Sequence, residues 1–132
     1  MWVEPIYDRT SADITTKTAK AYCNYTDLQR LEDNCEYLSD LFGLTITTKT
    51  WNRTDFPTVS DLSRIRSNIA TLRTVYYTRS TTPTNPDNPL NTYQKWNAAE
   101  QILNDIYELY NENLSAYFYA SEAYSGELTG VI

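Results

Sequence analysis

The 132-residue chain has the length of one domain, and its 41% hydrophobic and 14% aromatic residues are enough to form a core. A net charge of −6 without any run of Lys or Arg argues against nucleic acid as a partner, and no stretch reaches the ~20 apolar residues of a membrane-spanning helix. Because the chain has no His, His-dependent nucleophilic triads, HExxH sites and zinc deaminase sites are excluded.

The first predicted element is a short helix near the N-terminus. Thr10 or Ser11 is its predicted N-cap, Asp13 lies in its first turn, and it runs through Ile14 towards Tyr22. The opening MWVEPIYDRT has neither the basic nor the apolar region of a secretory signal. We therefore expect the protein to be made and folded in a cytosol.

Two later segments repeat one helix pattern at an offset of 34 residues, from position 26 to position 60. Residues 26–38 read TDLQRLEDNCEYL and residues 60–72 read SDLSRIRSNIATL, which share (S/T)-D-L-x-R-(L/I)-x-x-N-x-x-x-L. A weaker third copy, NTYQKWNAAEQIL, covers residues 91–103. Thr26, Ser60 and Asn91 are the predicted N-caps, and Asp27 and Asp61 place negative charge against the positive ends of the helix dipoles.

Each copy carries apolar residues at spacings of three and four, which predicts three amphipathic helices whose apolar faces meet in one core. The third helix is the longest and the most apolar, so it is predicted to be the central one. The faces consist of Leu28, Leu31, Cys35, Leu38 and Phe42; of Leu62, Ile65, Ile69, Leu72 and Tyr76; and of Trp96, Ala99, Leu103, Ile106 and Tyr110, with Ile102 and Leu109 at one side of the third.

The segments between the repeats differ from the helices in composition. From Gly43 the sequence LTITTKTW alternates apolar and polar residues, which favours an extended stretch before WNRTDFPTV leads into the next helix. The run STTPTNPDNPL contains three prolines and is predicted to be a surface loop, so the second repeat helix should end near Arg79.

The C-terminal tail, SAYFYASEAYSGELTGVI, is rich in aromatic residues. Such a composition suits a strand or an extended arm, although Ala116 to Tyr119 equally suit an extra turn of the third helix. We predict an arm that begins near Ser121. The predicted fold is all-α: a small bundle of three main helices plus a short N-terminal helix over residues 1–120, followed by an extended aromatic arm over residues 121–132.

No residues of the chain form a recognisable catalytic, metal-binding or cofactor-binding pattern, and we predict none of these functions. Asp105, Glu108 and Glu112 share one face of the third helix, but a cation site needs ligands from several directions, so a solvated face is expected. A glycosidase-like carboxylate pair is compatible with the residue types, but nothing in the sequence places two carboxylates at the required separation. Cys35 lies on an apolar stripe and is expected to be a buried hydrophobic residue.

Matching polar residues of the two strong repeats are interpreted as structural. Asn34 and Asn68 are expected to bond neighbouring backbone and to set the helix packing, with a shared ligand site as the alternative. Arg30 and Arg64 are expected to pair with acidic neighbours on the bundle surface, where such pairs contribute only ~0 to 1 kcal/mol.

The aromatic tail is the predicted partner interface, because Tyr bury large areas at interfaces while keeping a polar tip exposed. The alternative is that the tail folds back on its own bundle. The predicted interface residues are Tyr117, Phe118, Tyr119, Tyr124 and Leu128.

Several motifs along the chain carry a resemblance to a known group of proteins. They are WxxPIYDRTxAD at the start, NYTDLQRLEDNCEYL, W-x-x-T-D-x-P before SDLSRIRSNI, PLNTYQKWN, and YSGEL near the end. Together they resemble small structural proteins of tailed bacteriophages and prophages of Gram-positive gut bacteria. The resemblance covers nearly the whole chain, implies a tail, baseplate or neck component present in several copies, and assigns no functional residues.

The sequence therefore predicts a non-enzymatic virion protein without cofactors, made in the bacterial cytoplasm and located in the particle. Its expected partners are other virion proteins and copies of itself, and neither nucleic acid nor membrane is expected. The alternative is a binding module, either an acidic helical adapter that captures a host protein or a module that contacts host-surface sugars. An enzyme ranks third.

Overall fold

The computed structural model describes the backbone of residues 2–18 and 24–131 and the side chains of residues 2–18 and 24–114. It contains four helices: α1 (Ser11–Thr16), α2 (Tyr25–Leu41), α3 (Val59–Val75) and α4 (Tyr93–Val131). The described residues include no β-strand. The predicted all-α bundle of three main helices and a short N-terminal helix is confirmed.

Capping hydrogen bonds place the N-caps of α2 and α3 two residues before the predicted caps Thr26 and Ser60. Before α3, the Thr58 hydroxyl oxygen accepts from the Asp61 backbone N–H at 3.2 Å, and the Asp61 carboxylate accepts from the Thr58 N–H at 3.0 Å. The N-cap of α2 is Asn24. The two aspartates that we expected to face the helix dipoles therefore stand at the third helical position, where the Asp of a capping box lies.

The start of α4 corrects the register of the third repeat. Thr92, not Asn91, precedes the helix, and its hydroxyl oxygen accepts from the Lys95 backbone N–H at 3.2 Å. Asn24, Thr58 and Thr92 are thus separated by successive intervals of 34 residues. The sequence alignment of the third copy was wrong by three residues, because it placed Asn91 opposite Ser60.

In the corrected register, the buried residues of the three helices fall into matching layers. They stand at the fourth, seventh, eleventh and fourteenth positions after each cap, a three-four spacing typical of coiled-coil packing. All belong to the core or pack against it. The layers are Leu28, Leu62 and Trp96; Leu31, Ile65 and Ala99; Cys35, Ile69 and Leu103; and Leu38, Leu72 and Ile106.

The three long helices run parallel, because contacts join start to start and end to end. Just beyond the last turns of α2 and α3, Phe42 and Tyr76 stack with ring centroids 4.9 Å apart, and the Tyr110 ring of α4 lies 5.8 Å from the first and 5.9 Å from the second. These aromatic residues all stand eighteen positions after the caps. Each helix contacts the other two. The bundle is therefore an approximate three-fold arrangement, and α4 is not central as predicted.

Parallel helices require the chain to return to the starting end between them, and non-helical segments do so in the grooves. Residues 44–51 return between α2 and α3. The Lys49 backbone N–H donates to Glu32 of α2 at 2.9 Å, and Asn68 of α3 donates to the Thr47 carbonyl at 2.9 Å. The predicted alternation holds for this segment, since Leu44 and Ile46 are partly buried against the core.

Two predicted helix ends differ from the structure. Helix α1 ends at Thr16, where Lys17 adopts a left-handed conformation with φ 53°, so it does not continue through Thr18; residues 19–23 lie outside the described part of the chain. Helix α3 ends at Val75 instead of near Arg79, because Tyr76 is extended and turns its ring into the aromatic triad.

The C-terminal segment is the largest correction to the predicted fold. Helix α4 continues through Val131, so the segment from Ser121 is helical and not an extended arm. Extending an existing helix adds one hydrogen bond per residue without a new nucleation cost, and Ala116, Ala120 and Ala123 are strong helix formers. The alternative, in which Ala116 to Tyr119 add one turn to the third helix, was correct for those residues but also ended the helix before Val131.

Candidate functional site

A buried ionic cluster joins α2, α4 and the N-terminal segment. We define this cluster as Arg9, Asp27, Arg30 and Glu100. The Glu100 carboxylate accepts from Arg9 at 2.6 Å, from Nε of Arg30, and from the second guanidinium nitrogen of Arg30 at 2.9 Å. Asp27 accepts from Arg30 at 2.6 Å and lies 3.4 Å from Arg9. Two positive and two negative charges thus balance in a nearly solvent-free site.

A second buried pair stands at equivalent positions between α3 and α2. Arg64 donates through both terminal nitrogens to Glu32, at 2.6 and 2.8 Å. Glu32 also accepts from the Trp51 indole N–H at 3.0 Å. Arg30 and Arg64 are each six residues after a cap, and Glu100 and Glu32 are each eight residues after one. The same Arg-to-Glu contact therefore recurs around the bundle.

The third such position is filled differently. At this position Ala98 of α4 replaces the arginine of the pattern and Arg66 of α3 replaces the glutamate. No Arg–Glu pair can therefore form between these two residues. Arg66 instead donates through Nε to the Pro86 carbonyl at 2.6 Å, and so holds the Pro-rich segment in the groove between α3 and α4. At this position of the third groove, a hydrogen bond to a backbone carbonyl therefore takes the place of the Arg–Glu pair.

Hydrogen bonds to carboxylates raise the pKa of both arginines. Burial alone lowers the pKa of Arg30, but hydrogen bonds to Glu100 and Asp27 outweigh it and leave that pKa raised. The hydrogen bond to Glu32 is the main cause that raises the pKa of Arg64. Arg30 and Arg64 were expected to form surface pairs, but each also pairs with a buried carboxylate of another helix, Glu100 and Glu32 respectively. These charged side chains pair with one another and so hold the helices of the bundle together.

The two repeated asparagines bond to neighbouring backbone, as predicted. Asn34 accepts from the Val3 backbone N–H and donates to the Val3 carbonyl, both at 2.8 Å. Asn68 donates to the carbonyl of Thr47. Each asparagine side-chain amide thus hydrogen-bonds to the backbone of a segment that comes before its own helix in the chain.

The carboxylates of α4 that share a face are bridged by Arg79. Its guanidinium lies 3.6 Å from Asp105, 2.9 Å from Glu108 and 2.8 Å from Glu112. Asp105 is buried and accepts from the Thr82 hydroxyl at 2.7 Å, so this face is solvated only in part. The hydrogen bond from Arg79 is the main cause that lowers the pKa of Glu108.

Other candidate chemistry is accounted for within the described residues. Cys35 is buried in the core, as predicted, and burial raises the pKa of its thiol. Across the described ranges, no group of three or more Cys, Asp or Glu is arranged to hold a metal ion. A membrane-crossing helix would need to be longer or more apolar than any in the described part of the chain.

Exposed apolar residues concentrate at the two ends of the bundle. We call the end where the long helices start the cap end and the other the triad end. At the cap end, Phe56 is 85% exposed and Val59 72% exposed; at the triad end, Tyr77 is 72% exposed. None of these residues was predicted from the sequence to form an interface. The one sequence feature that could have pointed to Phe56 and Tyr77 is that both are aromatic residues outside the apolar stripes.

The predicted interface residues fall in the part of α4 that extends past the other helices. Tyr117, Phe118, Tyr119, Tyr124 and Leu128 lie within the last turns of α4, and their side chains are outside the described part of the structure. Their role as an interface therefore stays a prediction.

Comparison with protein-family models, with curated proteins and with solved structures gives no match to this chain.

Proposed function

We propose that this chain is a non-enzymatic structural protein of a bacteriophage virion, of the tail, baseplate or neck, which assembles through protein–protein contacts. The observation that carries the proposal is the length of α4. It has 39 residues against 17 in each of α2 and α3, so its last 22, residues 110–131, continue past the last residues of those helices. Of these, Tyr110, Glu112 and Asn113 still contact Tyr76 or Arg79, and the rest of the helix follows them. At 1.5 Å per residue this extension is about 33 Å long.

The sequence of this extension suits a helix that packs against a partner. Leu114, Tyr117, Tyr124, Leu128 and Val131 recur at spacings of three, four and seven residues. Such spacing is typical of a helix with one apolar stripe. A stripe on a helix that continues past its own bundle favours contact with another protein molecule, because apolar surface is most stable when removed from water.

The buried polar groups support a structural role. The four members of the ionic cluster are bonded mainly to each other, and Glu32 is bonded to Arg64 and Trp51. Catalytic acids and bases must reach a substrate from a cleft. These groups are instead used to lock helices and return segments together.

The test is incorporation into particles. A tagged full-length chain should copurify with phage particles through a density gradient and be detected by immuno-electron microscopy at one location. A variant with Tyr117→Ser and Tyr124→Ser should lose most of that incorporation, whereas Ser115→Ala with Ser125→Ala should retain it. Absence of the wild-type chain from particles would reject the virion assignment.

A second candidate is an acidic adapter that binds a basic host protein. It is favoured by the absence of Lys and Arg after Lys95, over a stretch that contains six carboxylates. Electrostatic attraction of this kind weakens with salt. The adapter would be recovered with one host protein from lysate at low salt, and would be absent from gradient-purified particles.

A further inference from the structure

We propose that the two ends of the bundle bind each other, so that copies of this chain stack head to tail, the triad end of one on the cap end of the next. The proposal deepens the assembly function above and rests on self-association. It concerns residues 24–114, whose side chains the structure describes. Its basis is the placement of exposed apolar side chains, the common direction of three helices and the length of α4.

Exposure of large hydrophobic residues is a property of the ends and not of the sides. Of the eight exposed large hydrophobic residues among those described, six lie within three residues of an end of α2 or α3, and Leu114 lies one turn past Tyr110 in α4; the eighth is Tyr7. Contiguous apolar surface on a small protein marks an interaction site more often than scattered apolar residues do. The cap-end residues are Tyr25, Phe56 and Val59, and the triad-end residues are Leu41, Val75, Tyr77 and Leu114.

The exposed residues recur at matching positions of α2 and α3, whereas the α4 equivalents, Tyr93 and Leu109, are half-buried. Tyr25 and Val59 are the first residues of α2 and α3, and Leu41 and Val75 are the last. None of these four positions is needed for the core layers. Two surfaces of similar chemistry therefore face in opposite directions along the bundle axis.

The cap end also offers a recess between its aromatic residues. A cleft of about 330 Å³ opens between Tyr25 and Phe56, with Arg53 and Asp55 at its rim. It is large enough to accept one aromatic side chain, and its rim can hydrogen-bond a phenol hydroxyl. Tyr77 at the triad end is such a side chain, since it is 72% exposed and its ring centroid lies 5.3 Å from that of Tyr76.

The direction of the helices selects head-to-tail contact over contact between like ends. The three parallel helices all point their positive dipole ends to the cap end, and α2 and α3 point their negative ends to the triad end, each pole equivalent to about half a charge. Asp27 and Asp61 offset part of the positive end. Stacking triad end on cap end still brings opposite poles together, whereas pairing two cap ends or two triad ends opposes like poles.

The length of α4 identifies the occupant as a second copy. Its 22-residue extension leaves the bundle at the triad end, the surface that would meet the next molecule. At about 33 Å it is somewhat longer than the 17-residue helices of the bundle, which span about 25 Å. The extension can therefore run along the full side of the next bundle. Contacts of this heterologous kind continue into a chain or close into a ring.

The test uses two single variants of the full-length chain and their mixture. Phe56→Glu alters only the cap end, and Tyr77→Glu alters only the triad end. Both residues are largely exposed, so circular dichroism should show unchanged helix content. In sedimentation velocity at high concentration, wild type should form species larger than a dimer, and each variant alone should be at least tenfold weaker in association.

Mixing the two variants separates head-to-tail stacking from a symmetric contact. Each variant retains one intact end, so the equimolar mixture should form a 1:1 complex of twice the monomer mass and nothing larger. Ser67→Glu, on the exposed side of α3, should associate like wild type. A monomeric wild type, a mixture that stays monomeric, or equal weakening by Ser67→Glu would overturn the proposal. Wild type that is monomeric yet present in particles would reject stacking while leaving the virion function standing.

Discussion

The Glu100→Gln substitution tests whether the buried ionic cluster holds α2, α4 and the N-terminal segment together. Glu100 is 0% exposed and accepts from two guanidinium groups and from the Ile6 backbone N–H. Gln keeps the size of the side chain but removes its charge. Arg9 and Arg30 would then share Asp27 alone, which leaves one uncompensated positive charge in a buried site.

The expected magnitude follows from the cost of breaking a buried pair. Removal of one partner from such a pair destabilises a protein by about 3–5 kcal/mol, a large part of the roughly 5–15 kcal/mol that stabilises a domain. For a chain of this size the midpoint of thermal unfolding should fall by about 10 °C or more. The assay is urea and thermal unfolding followed by circular dichroism at neutral pH.

Two further variants make the result interpretable. Glu112→Gln lies on the same helix with a largely exposed side chain, and its ion pair with Arg79 should contribute only about 0–1 kcal/mol. The double variant Arg30→Met with Glu100→Met leaves Arg9 and Asp27 balanced, so it should be more stable than Glu100→Gln. The reasoning would be refuted by a loss below about 1 kcal/mol for Glu100→Gln, or by a double variant that is less stable than the single one.

Three other predictions concern the repeats. Thr92→Ala should cost about 1 kcal/mol in unfolding free energy because it removes the N-cap of α4, while Asn91→Ala should cost distinctly less; the reverse order in urea unfolding would restore the sequence-based register. The hydrogen bond from the backbone N–H of its cap residue lowers the pKa of Asp61, so its stabilisation is present above about pH 4 and is lost as pH falls through the lowered pKa; Asp61→Asn should therefore show a smaller loss of stability between about pH 5 and pH 2.5. Asn34→Ala removes both hydrogen bonds that hold the segment before α2, and should cost about 1–3 kcal/mol while speeding amide exchange at Val3; unchanged exchange there would contradict the assignment.

Features that depend on a few neighbouring residues were predictable from the sequence. The apolar stripes of α2, α3 and α4, the burial of Cys35 and the backbone contacts of Asn34 and Asn68 all follow from spacing along a helix. Asp27 and Asp61 were recognised as acidic residues near the helix starts, but their hydrogen bonds to the cap residues were not predicted. The exact cap residues were not predicted either, because Asn24 and Thr58 compete with nearby polar residues of equal capping ability.

Features that depend on how distant segments meet were decided only by the tertiary structure. The buried partners of Arg30 and Arg64 could not be read from the repeats, because Glu100 and Glu32 belong to other helices. Their positions beside the apolar stripes gave no reason to prefer burial over solvent. The end-to-end distribution of Phe56 and Tyr77 likewise appears only when the helices are placed side by side.

The sequence by itself determined that three amphipathic helices with related starts would share a core, because period and capping are local properties of the chain. The structure decided that these helices run parallel, that the third repeat keeps the 34-residue interval, and that α4 continues through Val131. Direction and register arise from side chains that meet across the bundle, such as the triad of Phe42, Tyr76 and Tyr110. Local sequence cannot specify such contacts, since each depends on residues tens of positions away.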